Sequence, residues 1–295
     1  MNKIAVQLSL LAATALFAHT AFADPFFFST GNPDGKMATA SRPDAGVFEI
    51  ESADDFVLSS ATRLTSATFT GLIPSGASVN NVVVEFYRVF PKDSDVGRTS
   101  GPPTFSTPQV PTRVNSPGDI AFDSLDGSGG TLAFSTKILS ASFTVLNSVQ
   151  PGGIHPMPGQ TTSGDGSVTG EEVEFDVTFA TPLDLPADHY FFVPQVELDT
   201  GDFLWLSAPK PIVPPGTPFP PGFTDLQSWT RDAALDPDWL RIGTDIVGPP
   251  PTGGSAPTFN AAFSLNGETV PEPTSLSLLV FGLAGLGVMR RKRAA

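Results

Sequence analysis

The side chains in this sequence that could do chemistry are mainly carboxylates. The 295 residues include 30 Asp and Glu but 3 His and no Cys, which excludes thiolate metal sites, cysteine nucleophiles and disulfides. His19 falls in an apolar N-terminal stretch, so a Ser–His–Asp triad would need His155 or His189. Since neither G-x-S-x-G nor H-E-x-x-H occurs, we predict that both histidines are non-catalytic.

Paired carboxylates can hydrolyse glycosides, and the densest acidic group is Glu171, Glu172 and Glu174. Alternation with Val173 and Phe175 places Glu172 and Glu174 on the solvated face of a strand. Acids are ordinary at such positions. We therefore expect no catalytic residues and no enzyme activity, with a hydrolase as the least favoured function.

Several aspartates occur in or near turns, where their oxygen atoms could bind calcium. They are Asp93 with Asp95, Asp123 with Asp126, Asp199 with Asp202, and Asp232 with Asp236 and Asp238. None of these groups matches the twelve-residue EF-hand pattern, and aspartate also favours turns through bonds to its own backbone. A structural calcium ion and an ion-free set of turns therefore both stay open, and no other cofactor is expected.

Aromatic residues are mostly phenylalanine, with 24 Phe against 2 Tyr and 3 Trp. Trp205 lies in an apolar run and is predicted to be part of the core. Trp229 and Trp239 flank an aspartate-rich turn, so they are the candidates for stacking on a sugar ring if they are exposed. They are the predicted glycan contacts.

The body of the chain shows the period-2 alternation of β-strands. The predicted strands are 47–51, 56–58, 64–72, 82–90, 138–146, 172–179, 190–198, 203–206, 239–242 and 258–265. With 30 Pro and 28 Gly, turns are frequent and long helices are disfavoured. We predict an all-β fold, an antiparallel β-sandwich of jelly-roll type, with long loops at 91–118, 149–170, 208–224 and 248–257.

The N-terminus has the pattern of a secretory signal peptide. Lys3 precedes an apolar stretch at 4–17, and Ala21-Phe22-Ala23 forms an Ala-x-Ala site. We expect cleavage after Ala23 by signal peptidase, following export by the secretion machinery.

The C-terminus combines three features in order. Pro271-Glu272-Pro273 is followed by an almost wholly apolar run at 275–289, and then by the basic cluster Arg290, Arg291, Lys292 and Arg293. The run is shorter than the ~20 residues of a comfortable membrane span and could also be a buried core helix. The basic cluster favours a short transmembrane helix, with this cluster on the cytoplasmic side as a stop.

This tail resembles the PEP-CTERM sorting domain. The resemblance implies handling by an exosortase, a membrane protease-transferase of Gram-negative bacteria that make extracellular polysaccharide, with Pro271, Glu272 and Pro273 as recognition residues. The segment from Glu51 to Leu58 is also similar to β-sandwich modules of secreted bacterial proteins, a resemblance that implies no activity. The predicted organisation is a signal peptide (1–23), an extracellular β-sandwich (24–267) and a sorting tail (268–295).

Charge limits the partners. Without the two processed ends, 11 basic and 29 acidic residues remain, a formal charge of −18 that would repel nucleic acid. We expect an exported protein, held at the membrane by its tail before processing and then at the cell surface or outside the cell. The favoured function is a non-catalytic surface or matrix protein, and the alternative is a carbohydrate-binding module for exopolysaccharide.

Overall fold

The computed structural model describes residues 23–94, 115–154, 161–209, 215–223, 225–232 and 239–270. Within these ranges almost all regular structure is β-strand, accompanied by a 3₁₀ turn at Pro151–Gly153 and a short π-helix at Ile242–Val247. The strands form two sheets, and all but one of the described pairings are antiparallel. The all-β prediction is confirmed, whereas the jelly-roll connectivity stays a prediction.

The larger sheet has nine strands among the described residues. They are β1 (Pro25–Ser29), β2 (Met37–Ala40), β4 (Thr62–Ile73), β7 (Leu132–Val145), β8 (Asn147–Val149), β9 (Val168–Leu185), β11 (Leu204–Ala208), β14 (Asn260–Ala261) and β15 (Phe263–Thr269). Their order is β1-β15-β4-β11-β2-β8; β14 pairs with β11, β9 pairs with β4, and β7 pairs with β9. The β2–β8 pairing is parallel.

The smaller sheet has six described strands in the order β13-β12-β3-β10-β5-β6. They are β3 (Ile50–Val57), β5 (Val79–Arg88), β6 (Asp123–Asp126), β10 (His189–Leu198), β12 (Trp229–Asp232) and β13 (Leu240–Arg241).

A phenylalanine-rich core lies between the sheets and joins them into a sandwich. Phe192 of β10 stacks on Phe263 of β15, with ring centroids 5.1 Å apart, and Phe86 of β5 meets Phe179 of β9 edge to face at 5.9 Å. Such contacts add to the apolar burial that stabilises the fold. The alternation predicted around Glu172 and Glu174 is confirmed, because Val173, Phe175, Val177 and Phe179 are buried beside them.

Predicted and observed strands differ mainly at their ends. The segments predicted at 47–51 and 56–58 are one continuous strand, β3, because its buried polar residues mask the alternation. The segment predicted at 239–242 is the two-residue β13 running into the π-helix. The pattern did not predict β1, β2, β6, β8 or β12, which are short or lack alternation.

Residues 25–268 form one compact unit. Its first strand, β1, begins directly after the predicted cleavage site, and Pro25 is opposite Glu268 in β15. No helix in the described part of the chain is long and apolar enough to cross a bilayer. The predicted transmembrane run at 275–289 lies outside the described residues, as does 1–22 of the predicted signal peptide.

Candidate functional site

Among the described residues, a close group of ionisable side chains lies on the outer face of the smaller sheet, the face turned away from the phenylalanine core. Alternate residues of β3 and β5 bring Glu51, Glu85 and Tyr87 to this face, and β12 adds Arg231. Arg231 is opposite Glu51 in the strand register, so the two elements are paired by backbone and side chain together. We call these four residues and Glu49 the glutamate cluster.

Glu51 is the centre of the glutamate cluster and is only 4% exposed. It accepts hydrogen bonds from the Arg231 guanidinium and from the Tyr87 hydroxyl. Arg231 also donates to the Tyr87 oxygen at 3.1 Å and to the Asp119 carbonyl at 3.2 Å. The buried carboxylate therefore has a cation and a hydroxyl as partners, as burial of a charge requires.

Glu49 and Glu85 both lie close to Glu51. One carboxylate oxygen from each of the three glutamates lies within 4.8 Å of the other two. Glu49 accepts a 2.9 Å hydrogen bond from Gln195, a fully buried residue of β10. Glu85 lies 3.0 Å from the Tyr87 hydroxyl oxygen. Three acids this close cannot all be ionised without strong repulsion.

The pKa values shift in the way this repulsion requires. Burial, followed by the charge of Glu51, raises the pKa of Glu85 to about 8. Burial also raises the pKa of Glu49, although the bond from Gln195 opposes the shift. For Arg231, burial lowers the pKa, but the charge and hydrogen bond of Glu51, together with Tyr87 and Glu85, outweigh burial and keep the pKa above its ordinary value. At neutral pH the glutamate cluster thus holds a proton on Glu85 and a charge pair between Glu51 and Arg231.

Two tryptophans cover this face. The Arg231 guanidinium lies 4.5 Å from the centre of the Trp239 ring, and Arg241 lies 4.4 Å from that of Trp229. The Trp239 indole N–H donates to the Gly118 carbonyl at 2.9 Å. Trp229 and Trp239 are both fully buried. Their choice as glycan contacts depended on exposure, and this condition is not met, because both rings are buried against arginine side chains.

The outer face also carries His189, which opens β10 as predicted. Its Nε2 lies 2.9 Å from an Asp55 carboxylate oxygen, and its ring packs against Phe191 and Phe223. The neighbours described for the imidazole are a carboxylate and two phenyl rings, without the hydroxyl nucleophile that a Ser–His–Asp triad requires. His155 lies outside the described residues.

The aspartates predicted as calcium ligands serve separate local roles. Asp93 pairs with Arg88, Asp202 with Arg42, and Asp199 accepts a 2.8 Å bond from the Ser78 amide. The Asp123 carboxylate accepts a hydrogen bond from the Ser124 amide. For Asp126, burial raises the pKa, but the hydrogen bonds that it accepts, mainly from Asn81 and Ser128, outweigh burial and lower the pKa. Asp232 is buried in β12, and Asp95, Asp236 and Asp238 lie outside the described residues.

Within the described residues, only the three glutamates of the cluster form a group with cation-binding geometry, and sequence spacing did not predict it. Their oxygens already accept hydrogen bonds from Arg231, Tyr87 and Gln195. Because Glu51 already pairs with the Arg231 guanidinium, the arrangement fits an internal charge pair better than a metal site. The question of a structural calcium ion stays open, as the sequence left it.

A separate open groove of about 220 Å³ lies beside the end of β10. Arg42 lines it, paired with Asp202 and stacked 4.6 Å from the centre of the Phe48 ring, which is 48% exposed. Glu197 and Asp199 add carboxylates to the groove. The groove thus offers charged side chains to solvent, and one of them, Arg42, also packs on the half-exposed Phe48 ring.

The comparisons with known proteins identify the tail. Residues 269–293 match the family model described as the PEP-CTERM protein-sorting motif. No curated protein and no solved structure gives a significant match. The match contains all of Pro271, Glu272 and Pro273 and the basic residues 290–293, which lie outside the described residues. The motif marks an exported protein that is sorted by an exosortase-type enzyme.

Proposed function

We propose that this chain, which carries a PEP-CTERM protein-sorting motif, is a non-catalytic protein of the cell surface or extracellular matrix. The observation that carries the proposal is the sorting motif directly after a folded, strongly acidic β-sandwich. A signal peptide cleaved after Ala23 starts the export. The apolar run at 275–289 then holds the chain in the membrane until the exosortase acts on Pro271-Glu272-Pro273.

The arrangement of the glutamate cluster supports a structural role. An enzyme that uses two carboxylates must leave them open to the substrate and to water. Here Glu51 is buried and bonded to Arg231 and Tyr87, and Trp239 packs over the guanidinium. These bonds connect β3, β5 and β12 and hold loop residues against the sheet. The cluster therefore fixes the outer face of the sandwich.

The experiment is to follow the protein in its native host by intact mass and cell fractionation. For the wild type we expect a chain shortened at both ends and located at the surface or in the matrix. Glu272→Ala should accumulate in the inner membrane with its tail attached. Glu268→Ala, which removes an acid four positions earlier and outside the matched motif, is the control and should be sorted normally. Equal sorting of both variants would refute the role of the motif.

The non-catalytic part of the proposal has its own test. The purified protein is incubated with the host's exopolysaccharide, and new reducing ends are measured. We expect none above the background. Release of reducing ends by the wild type, and its loss in a folded Glu51→Gln variant, would show that the protein is a hydrolase.

The groove at Arg42 favours a second candidate, a carbohydrate-binding module. The charged side chains that line the groove suit the hydroxyl groups of sugars, and the half-exposed Phe48 ring, which packs on Arg42, suits their apolar faces. Binding to exopolysaccharide that Phe48→Ala weakens, and that Phe27→Ala at a similarly exposed site leaves unchanged, would support this candidate. The absence of binding to any glycan on an array would reject it.

A further inference from the structure

Strand β7 forms one edge of the larger sheet. Its partner is β9, with a regular register from Leu132 opposite Phe179 to Ile138 opposite Val173. In the part of the chain that the structure describes, no strand pairs with the other edge of β7. Ile138 lies beside the buried Val173 but is itself 60% exposed. The core-facing side of the sheet thus continues past β9 onto a strand that is uncovered there.

The other sheet edges are protected in ways that β7 is not. β6 has four residues, of which two are aspartates, β13 has two residues, and β8 has three. β1 begins with a proline. Short strands, charges and prolines are the usual devices against pairing between edges. β7 has 14 residues, contains no proline, and carries Lys137 as its single charge.

The distribution of charge indicates which partner pairs with the free edge of β7. The body carries a formal charge of −18, so two copies repel each other over most of their surfaces. β7 is an uncharged stretch interrupted by one lysine, and Lys137 lies 3.6 Å from Glu174 of β9. Two copies can therefore approach along β7 without bringing like carboxylates together. An antiparallel pair of identical strands is also self-complementary and closes as a two-fold dimer.

We propose that the protein forms a homodimer by antiparallel pairing of the regular halves of two β7 strands. Beyond Ile138 the register with β9 shifts twice, and such irregularities twist an edge away from a partner. The seven residues from Leu132 to Ile138 offer about 24 Å of edge at ~3.4 Å per residue. A stable interface buries ~800 Å² per partner, and pairing along one strand edge of this length buries a smaller area. The dimer is therefore weak and concentration-dependent.

Sedimentation equilibrium of the purified exported protein tests the dimer. We expect the weight-average mass to rise from monomer toward dimer with concentration, and to rise further in about 0.5 M salt, which screens the acidic bodies. Ile138→Asp should weaken association about tenfold or more. Ile120→Asp is the matched control, because Ile120 is 63% exposed on a loop and should leave association unchanged. A monomer at every concentration and salt, or equal effects of the two variants, overturns the proposal.

The absence of cysteine from the sequence allows a test of the register. Single variants Ala133→Cys, Ser135→Cys and Lys137→Cys are each oxidised under mild conditions and separated by mass. A two-fold antiparallel pair brings one position next to its own copy, so one variant should cross-link far more than its neighbours. Equal cross-linking of all three, or the same yield from an Ile120→Cys control, would show random collision and reject the paired edge.

Discussion

The Tyr87 hydroxyl oxygen lies 3.0 Å from a carboxylate oxygen of Glu85, its neighbour two residues earlier on the same face of β5. The Tyr87 hydroxyl is the donor toward both Glu85 and the buried Glu51, and because it has a single hydrogen the two carboxylates compete for it. A proton on Glu85 ends this competition and removes the repulsion between Glu85 and Glu51. The glutamate cluster is therefore most stable when one of its acids is neutral.

The first prediction is a dependence of stability on pH. The pKa of Glu85 is raised from 4.5 to about 8 by burial and by Glu51. An acid whose pKa is higher in the folded than in the unfolded state contributes stability that is fully present below pH 4.5 and is lost as the pH rises through 8. The free energy of unfolding should therefore fall across this window, by up to about 1.4 kcal/mol per pH unit. Glu49, whose pKa is also raised, adds to the same trend. Urea unfolding at a series of pH values measures it.

Glu85→Gln should flatten this pH dependence, because the amide is neutral at every pH. The matched control is Glu268→Gln, which removes a surface carboxylate 45% exposed beside Arg63 and should leave the slope unchanged. A wild-type profile that rises from pH 5 to 8, or a variant as steep as the wild type, would contradict the protonation of Glu85.

The second prediction concerns the charge pair at the centre of the glutamate cluster. Arg231→Met removes the cation from Glu51 and leaves a buried charge, which should cost about 3–5 kcal/mol of unfolding free energy. Adding Glu51→Gln should recover part of this loss. Arg63→Met is the control, because the Arg63–Asp184 pair is 44% and 59% exposed and should cost less than about 1 kcal/mol. Equal losses for the two arginine variants would mean that Arg231 is not an internal partner.

Sequence patterns predicted the core of the fold but not the outer face. Val173, Phe175, Val177 and Phe179 alternate with polar residues, and this period-2 pattern correctly places β9. β3 was divided in two because Glu51 and Asp55 are buried on its outer face, where an alternating pattern would place exposed side chains. Alternation reports burial on one side of a sheet and fails where both sides are covered.

The candidate site could not be predicted from the spacing of residues in the sequence. Glu51, Glu85 and Arg231 are far apart in the chain, and the pairing of β3 with β12 brings two of them together. Acids close in sequence, such as Glu172 and Glu174, instead share a strand face. Trp229 and Trp239 were chosen as glycan contacts, on the condition that they are exposed, because they flank an aspartate-rich turn in the sequence. Arginines stacked on the rings are the partners that allow this polar segment to be buried.

The third prediction follows from the burial of Trp205, Trp229 and Trp239, which are 2%, 0% and 0% exposed. The folded protein should show blue-shifted tryptophan emission that acrylamide quenches far less than in the same protein unfolded in urea. Exopolysaccharide should leave this emission unchanged. Efficient quenching in the folded state, or a spectral shift on adding the polysaccharide, would mean that at least one indole is at the surface.

The last prediction tests the packing of the core at Gly71 of β4. A Cβ atom on Gly71 would lie 2.0 Å from the Phe203 ring and 2.8 Å from the Leu204 carbonyl oxygen, so neither the ring nor the backbone leaves space. We expect Gly71→Ala to lower the free energy of unfolding by at least the ~1–3 kcal/mol that overpacking costs.

Gly152→Ala is the matched control, because a Cβ there meets nothing within 4 Å and its backbone is not in the left-handed region. It should change stability little. Phe203→Leu should partly rescue Gly71→Ala if the ring is the obstacle, since the smaller side chain frees the space that the new methyl group needs. Thermal melts of the wild type, the three single variants and the double variant measure these effects. If Gly71→Ala leaves the stability unchanged, or if the double variant is less stable than both single variants, the close approach of strand and ring is absent in solution.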